Sequence, residues 1–307
     1  MGAVGGGLRR PRFSLRGPLP LTPSLKGRGK ADLPSHLWLL LPAVTANLLV
    51  FLWPMLNLAT LSFRDSASGG ALLPGFSLAT WAGLLTDPYY AELVVDSIGV
   101  SLLITALTLL CAYPIAWFVH RAPDRWRNLL MVACIAPLLV SAVVRTYGWL
   151  VILGDHGLVP GLLRALGFAH PPPLVFNQTG VVIGLTEVLM PYMILSLLAG
   201  FGRLNPTLEE AAASLGARPI AVFRRIILPL SLPGVLLGCL LAFVLAASSF
   251  ITPSLLGGGR VPLLATEIYD EAIVTLNWPV AAALSVVVLA VFGVALVLYG
   301  RLSRAVA

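Results

Sequence analysis

Two charged side chains stand inside otherwise apolar stretches of this chain: Arg145 within 129–153 and Glu187 within 180–202. A charge at mid-bilayer costs about 2.5–3.5 kcal/mol or more, so such residues mark solute paths, ion pairs or relays. If both stretches are straight helices rising about 1.5 Å per residue, Arg145 lies about 24 Å from the Leu129 end and Glu187 about 10 Å from the Gly180 end. In a hydrocarbon layer roughly 30 Å thick, both then fall in the outer half at nearly equal depth. One arrangement is an ion pair joining the two stretches, with Arg145 snorkelling outward. The other has Glu187 meeting a cationic solute in transit while backbone carbonyls hold Arg145. The pair is favoured, because a carboxylate left alone there would take up a proton. Tyr147, Trp149 and Tyr192 lie on the same stretches, where they either line a solute path or form an interfacial aromatic belt.

Other chemistries find no set of residues to carry them. Cys111, Cys134 and Cys239 fall inside apolar stretches, where a thiol behaves as a small hydrophobe. His36, His120, His156 and His170 have no partner at metal-ligand spacing, so no metal site is expected. Gly27-Arg28-Gly29-Lys30-Ala31 lacks both the early glycine and the Ser/Thr of a phosphate-binding loop. No Ser/His/Asp set or acidic cluster converges on any pair of stretches, which argues against a membrane-embedded enzyme. No cofactor is expected, and ATP hydrolysis by the chain itself is not.

The elements that must position these residues follow from composition. Of 307 residues 58% are hydrophobic and 11% charged, against about a quarter charged in soluble domains. Four charge-free runs, 37–63, 97–119, 226–259 and 272–300, each exceed the roughly 20 residues needed to cross a bilayer. With 129–153 and 180–202 they make six transmembrane helices, so the fold class is an all-α polytopic membrane bundle in contact with lipid. The net charge of +7 would suggest nucleic acid as a partner of a soluble protein. Here most of the 20 basic residues lie before Leu37, at 121–127, at 203–225 and at 301–304, all on one side of such a bundle. The positive-inside rule then puts both termini in the cytoplasm of an inner-membrane protein, and no nucleic-acid role is needed.

Residues 1–34, rich in Gly, Pro, Arg and Ser, are expected to be a disordered basic segment, and 35–307 the membrane domain. A translation start assigned too far upstream is an alternative account of 18–30. Outer segments are expected at 64–96, with a short surface helix near 78–85; at 154–179, with a short helix near 162–166; and at 257–279.

One cytoplasmic loop, 203–229, is far longer than the usual 2–8-residue connection between bundle helices. Its chemistry divides it into helix, turn, helix. Asn205 or Thr207 can cap the first helix, with Glu209 or Glu210 in its first turn. Gly216 supplies a residue tolerant of positive φ to stop it. Pro219 suits the first turn of the second helix, and Pro229 is expected to end that helix before the membrane.

Glu210-Ala211-Ala212, then Gly216, then Ile226, Leu228 and Pro229, resembles the EAA loop of binding-protein-dependent ABC-transporter permeases. Asp87-Pro88-Tyr89-Tyr90, Tyr113-Pro114-Ile115-Ala116-Trp117, Arg145-Thr146-Tyr147-Gly148, Pro191-Tyr192 and Asn277-Trp278-Pro279 extend the likeness to spermidine/putrescine-type permeases, particularly the first of their two permease subunits. The resemblance implies a second related permease subunit, two ATPase subunits on the cytoplasmic side and a periplasmic solute-binding protein. It also implies that Glu210, Ala211, Ala212, Gly216, Ile226, Leu228 and Pro229 couple the chain to the ATPase, with Glu210 rather than Glu209 docking. Similar permeases handle opines, thiamine, aminoethylphosphonate and ferric iron. A transporter driven by an ion gradient is the alternative from another class; it would use intramembrane acids and inverted repeats, of which the chain offers only Glu187.

Overall fold

The computed structural model describes residue 2 and residues 33–67, 70–168, 170–202 and 204–306. The expectation for residues 1–34 lies outside them, save that the first helix already begins at Leu33. The helices in chain order are α1 (Leu33–Leu61), α2 (Ala79–Thr86), α3 (Pro88–Arg121), α4 (Asp124–Ile135), α5 (Ala142–Leu153), α6 (Leu158–Ala165), α7 (Gln178–Phe201), α8 (Pro206–Ser214), α9 (Pro219–Val222), α10 (Leu228–Ala247), α11 (Ile251–Gly257), α12 (Leu264–Tyr269) and α13 (Trp278–Val306). Two compact units divide the chain, residues 1–53 and residues 54–307. The first holds most of α1, and the second holds α2 to α13.

Local chemistry explains the main helix starts. Asp87 caps α3 by accepting from the Tyr89 N–H at 2.9 Å, and Pro88 occupies the first turn, where its missing donor costs nothing. Asn177 caps α7 by accepting from Gly180 N–H at 2.9 Å. The helix α3 ends at Arg121 because Ala122, preceding Pro123, is held extended (φ −65°, ψ 142°).

Among the described residues five helices are long and apolar enough to cross a membrane: 41–61, 88–121, 178–201, 219–247 and 278–305. The sixth crossing is not the straight helix expected over 129–153. In its place stands a pair, 124–139 and 142–165, bent by 95°, which makes a sixth crossing if the two are counted as one span. Pro137 opens its last turn as a 3₁₀ segment, Ala136–Leu139, and Val140 and Ser141 are extended (ψ 134° and 135°), so the hydrogen-bond ladder is interrupted there. Two further boundaries differ from the charge-free runs. The run 226–259 breaks after Ala247, where the Ser248 hydroxyl turns back to the Val244 carbonyl at 2.8 Å, and α11 is a separate short helix. The run 272–300 crosses only from Trp278, because Leu276 sits at φ +57° and ends the preceding π turn, Asp270–Val274.

The core of the second unit lies where α3, α7 and α10 meet: Ile104, Ala112 and Ala116 from α3, Leu185, Met193, Leu197 and Phe201 from α7, Ala242 and Ala246 from α10. The innermost crossing is α7, with 56% of its apolar window buried against 22% for α13. Lipid tails are as apolar as leucine, so helices in a bilayer associate through close packing rather than expulsion of water. Here small residues permit it. A Cβ on Gly234 would lie 2.7 Å from the Ser196 carbonyl oxygen and 2.8 Å from Gly200 Cα, both backbone atoms. One turn on, a Cβ on Gly238 would meet Met193 Sδ at 2.5 Å. The two spans flanking the long loop are thus joined backbone to backbone just inside it.

Candidate functional site: the long loop and the intramembrane ion pair

The long loop folds as helix, turn, helix. Asn205 is the cap, its side chain accepting from Thr207 N–H at 3.1 Å, and Glu209 lies in the first turn of α8. Gly216 has φ +78°. Around it the Ala217 N–H reaches Ala212 O at 3.0 Å and the Gly216 N–H reaches Ala213 O at 2.9 Å, so two carbonyls at the helix end are satisfied by the reversal. Pro219 opens α9 as expected. Pro229, however, does not end it. Residues 219–247 run as one span, and Pro229 sits in the first turn of α10 directly after a π turn, Phe223–Ile227. The widened turn sends the Leu228 N–H five residues back to Phe223 O, easing the ring's clash with the carbonyl four residues before it. Ile226, Leu228 and Pro229 therefore belong to the root of the span, and the part presented outward is α8 with Gly216.

On that part Glu210, Ala211 and Ala213 are exposed and Ala212 is half-buried. The two acids differ in role. Glu209 is paired with Arg121, the last residue of α3, whereas Glu210 makes no ion pair among the described residues. The Arg121 guanidinium also lies over the Trp117 ring, 4.4 Å from its centroid. Trp117 meets Phe201 edge to face at 5.4 Å and Phe223 at 6.5 Å, and Tyr113 meets the same two rings at 5.5 and 5.9 Å. Phe201 closes α7 before the loop and Phe223 opens the π turn near its end.

In the membrane, Arg145 Nη1 donates to Glu187 Oε1 at 3.3 Å, and the Trp149 indole N–H donates to Glu187 Oε2 at 3.2 Å. Arg145 is sunk, its side chain 12% exposed, while Glu187 is 29% exposed. Arg145 Nε is buried without a hydrogen-bond partner among the described residues. The pair joins the broken crossing to α7 despite the bend, because the Thr146 and Thr252 hydroxyls, 3.1 Å apart, hold α5 against α11 beside α7. The indole of Trp149 is occupied by a carboxylate rather than turned to an interface. Tyr147 and Tyr192 are exposed and lie on the same two helices. Cys111, expected inside, is exposed on α3.

Residues 108–307 match the model for binding-protein-dependent transport system inner membrane components. The chain belongs to that family. It is 34% identical over 268 residues to the spermidine/putrescine transport system permease protein PotB of Salmonella typhimurium, covering 87% of this chain and 90% of that protein. The identity to PotB of Escherichia coli strain K12 is also 34%, over 87% of this chain and 94% of that one. Among solved structures, a bacterial alginate ABC transporter in complex with alginate pentasaccharide-bound periplasmic protein superposes with a TM-score of 0.70 over 89% of this chain and 95% of its own, at 17% identity, a likeness of fold.

As an inner-membrane permease of an ABC importer, the chain puts its quoted segments to use in ways that motif reading missed. Tyr113 and Trp117 stood out only as parts of a segment, yet they clamp both ends of the long loop. At the other end of α3 Tyr89 donates to Glu267 at 2.8 Å, Tyr90 to Glu271 at 3.3 Å, and the Ser66 hydroxyl to Asn277 at 3.0 Å, so 64–96 and 257–279 are fastened together. Burial raises the Glu267 carboxyl above the usual carboxylate range. The signal that could have found the clamp is the spacing 113, 117, 121, one face of one helix.

Proposed function

We propose that this permease imports a polyamine, spermidine or putrescine, at the expense of ATP hydrolysed by separate ATPase subunits. The observation that carries the substrate is the 34% identity, across nearly the whole chain, to relatives named for spermidine and putrescine. A second related permease completes the membrane pair, a solute-binding protein delivers the cation from outside, and both termini lie in the cytoplasm. In this reading α8 seats on an ATPase, Glu210 offering the unpaired charge and Ala211 and Ala212 the small surface that permits close approach.

Glu187 fits the substrate. A polyamine carries ammonium groups on an apolar chain, and a part-exposed carboxylate within the membrane offers one of them a counter-charge. Arg145 and Trp149 hold that carboxylate in place while no solute is present.

Proteoliposomes carrying the permease, its partner permease, the ATPase and the binding protein are loaded with ATP and given labelled spermidine or putrescine. Uptake that needs ATP and the binding protein, and that is indifferent to proton ionophores, is expected; uptake driven by the proton gradient alone refutes the proposal. Glu187→Gln is expected to assemble yet lose cation uptake, and normal uptake by that variant removes Glu187 from the path. If the exchange Arg145→Glu/Glu187→Arg restores uptake in full, the pair is structural only.

A further inference from the structure

The loop between α7 and α10 would, by connectivity alone, pass motion to the two spans it joins. Its contacts reach a third. Glu209, in the first turn of α8, is ion-paired to Arg121 at the end of α3, 88 residues away in sequence. The same guanidinium is stacked on Trp117, which with Tyr113 grips Phe201 before the loop and Phe223 near its end. The residue before the loop, its first helix and its π turn are therefore all fastened to about two turns of α3. An acid in the first helical turn is usually no more than a dipole partner worth about 0.3–1 kcal/mol. Glu209 differs in having a specific basic partner on another helix, and that partner has a planar seat on an aromatic ring. Between α8, the π turn and this end of α3 lies a crevice of about 460 Å³, bordered by Trp117, Arg121, Glu209 and Phe223. Near α8 the rings and the ion pair are what bridge it.

We infer that Arg121 is a positioning residue for coupling: through Glu209 and Trp117 it makes α3 move with α8, so that the ATPase drives three crossings rather than two. The inference rests on the reading of α8 as the ATPase-docking helix and adds to it. The ion pair is half in water, so its separate worth is modest, and its effect is to keep two elements in register rather than to stabilise the fold.

The test uses the assembled transporter. Spin labels are placed at Phe118→Cys, exposed on the last turn of α3, and Thr207→Cys, exposed at the start of α8, in a background lacking Cys111, Cys134 and Cys239. Their separation is measured without nucleotide and in the ATP–vanadate state, alongside solute imported per ATP hydrolysed. With Arg121 in place the separation is expected to stay the same in both states. In Arg121→Gln it should change between states, and transport per ATP should fall about two- to five-fold, the factor equivalent to a part-exposed ion pair with a cation–π contact. Arg121→Lys and the exchange Arg121→Glu/Glu209→Arg should recover the constant separation. A separation that changes equally with and without Arg121 overturns the inference, as does loss of ATPase assembly in Arg121→Gln, which would make the pair part of docking itself. Failure of the docking reading is distinguishable, because then Glu210→Lys retains the ATPase at the unaltered level.

Discussion

Substituting Gly234 by alanine adds one methyl group at the crossing of α7 and α10, and its consequence can be worked from distances. The new Cβ would sit 2.7 Å from the Ser196 carbonyl oxygen and 2.8 Å from Gly200 Cα. Both neighbours are backbone, so neither can rotate away. Ordinary contact begins near 3.4 Å, and the two helices must part locally by more than half an ångström. Overpacking of this kind costs about 1–3 kcal/mol. Against this, glycine to alanine inside a helix gains about 1 kcal/mol in propensity. Gly99, inside α3 with nothing within 4 Å of its virtual Cβ, supplies the control that isolates the packing term. Gly99→Ala is expected to be neutral or stabilising, and Gly234→Ala to lie about 1–3 kcal/mol below it. For a helical unit of this size that is a difference of about 2–12 °C in apparent melting temperature in detergent. Gly200→Ala, whose Cβ would lie 2.8 Å from Gly234 Cα, should repeat the Gly234 result. Equal melting temperatures for Gly234→Ala and Gly99→Ala would refute the backbone-to-backbone crossing.

Other outcomes follow from the same geometry. Glu187→Gln should destabilise the permease more than Arg145→Gln, by about 1–3 kcal/mol against less, because the charge it strands is the more deeply buried one, whereas Glu187 would keep Trp149; melting in detergent at neutral pH checks the order. Gly216→Val, forced to φ +78°, and Glu210→Lys should both leave the permease inserted and prevent ATPase co-purification. Co-purification at the unaltered level would remove Gly216 and Glu210 from the docking surface. Burial raises the Glu267 carboxyl, so above the ordinary carboxylate pKa the folded chain holds more protons than the unfolded one, and stability falls as pH rises through that window. Glu267→Gln keeps an acceptor for Tyr89 and should flatten the fall in melting temperature between acidic and neutral pH.

The loop was legible because its signals are local. A cap at Asn205, a glycine at 216 and a proline at 219 act on their own few residues, and each took the predicted place. Pro229 did not, because whether a proline breaks a helix depends on what the preceding turn can do, and here a π turn absorbs it. The meeting of Arg145 with Glu187 was anticipated from depth along two straight helices. The contact formed although one of them is bent by 95°, since what brings the groups together is the seating of α5 beside α7 and α11.

By itself the sequence determined that the chain spans a membrane, about how many times, and where its long loop turns, because hydrophobic length, glycine and proline act through the chain's own covalent geometry and its solvent. Only the tertiary structure decided which acid of the loop is free and which is tied. It also decided that α3 shares the loop's fastening, and that α7 and α10 touch through glycine. Those are contacts between residues tens of positions apart, and no local propensity encodes the partner at the other end.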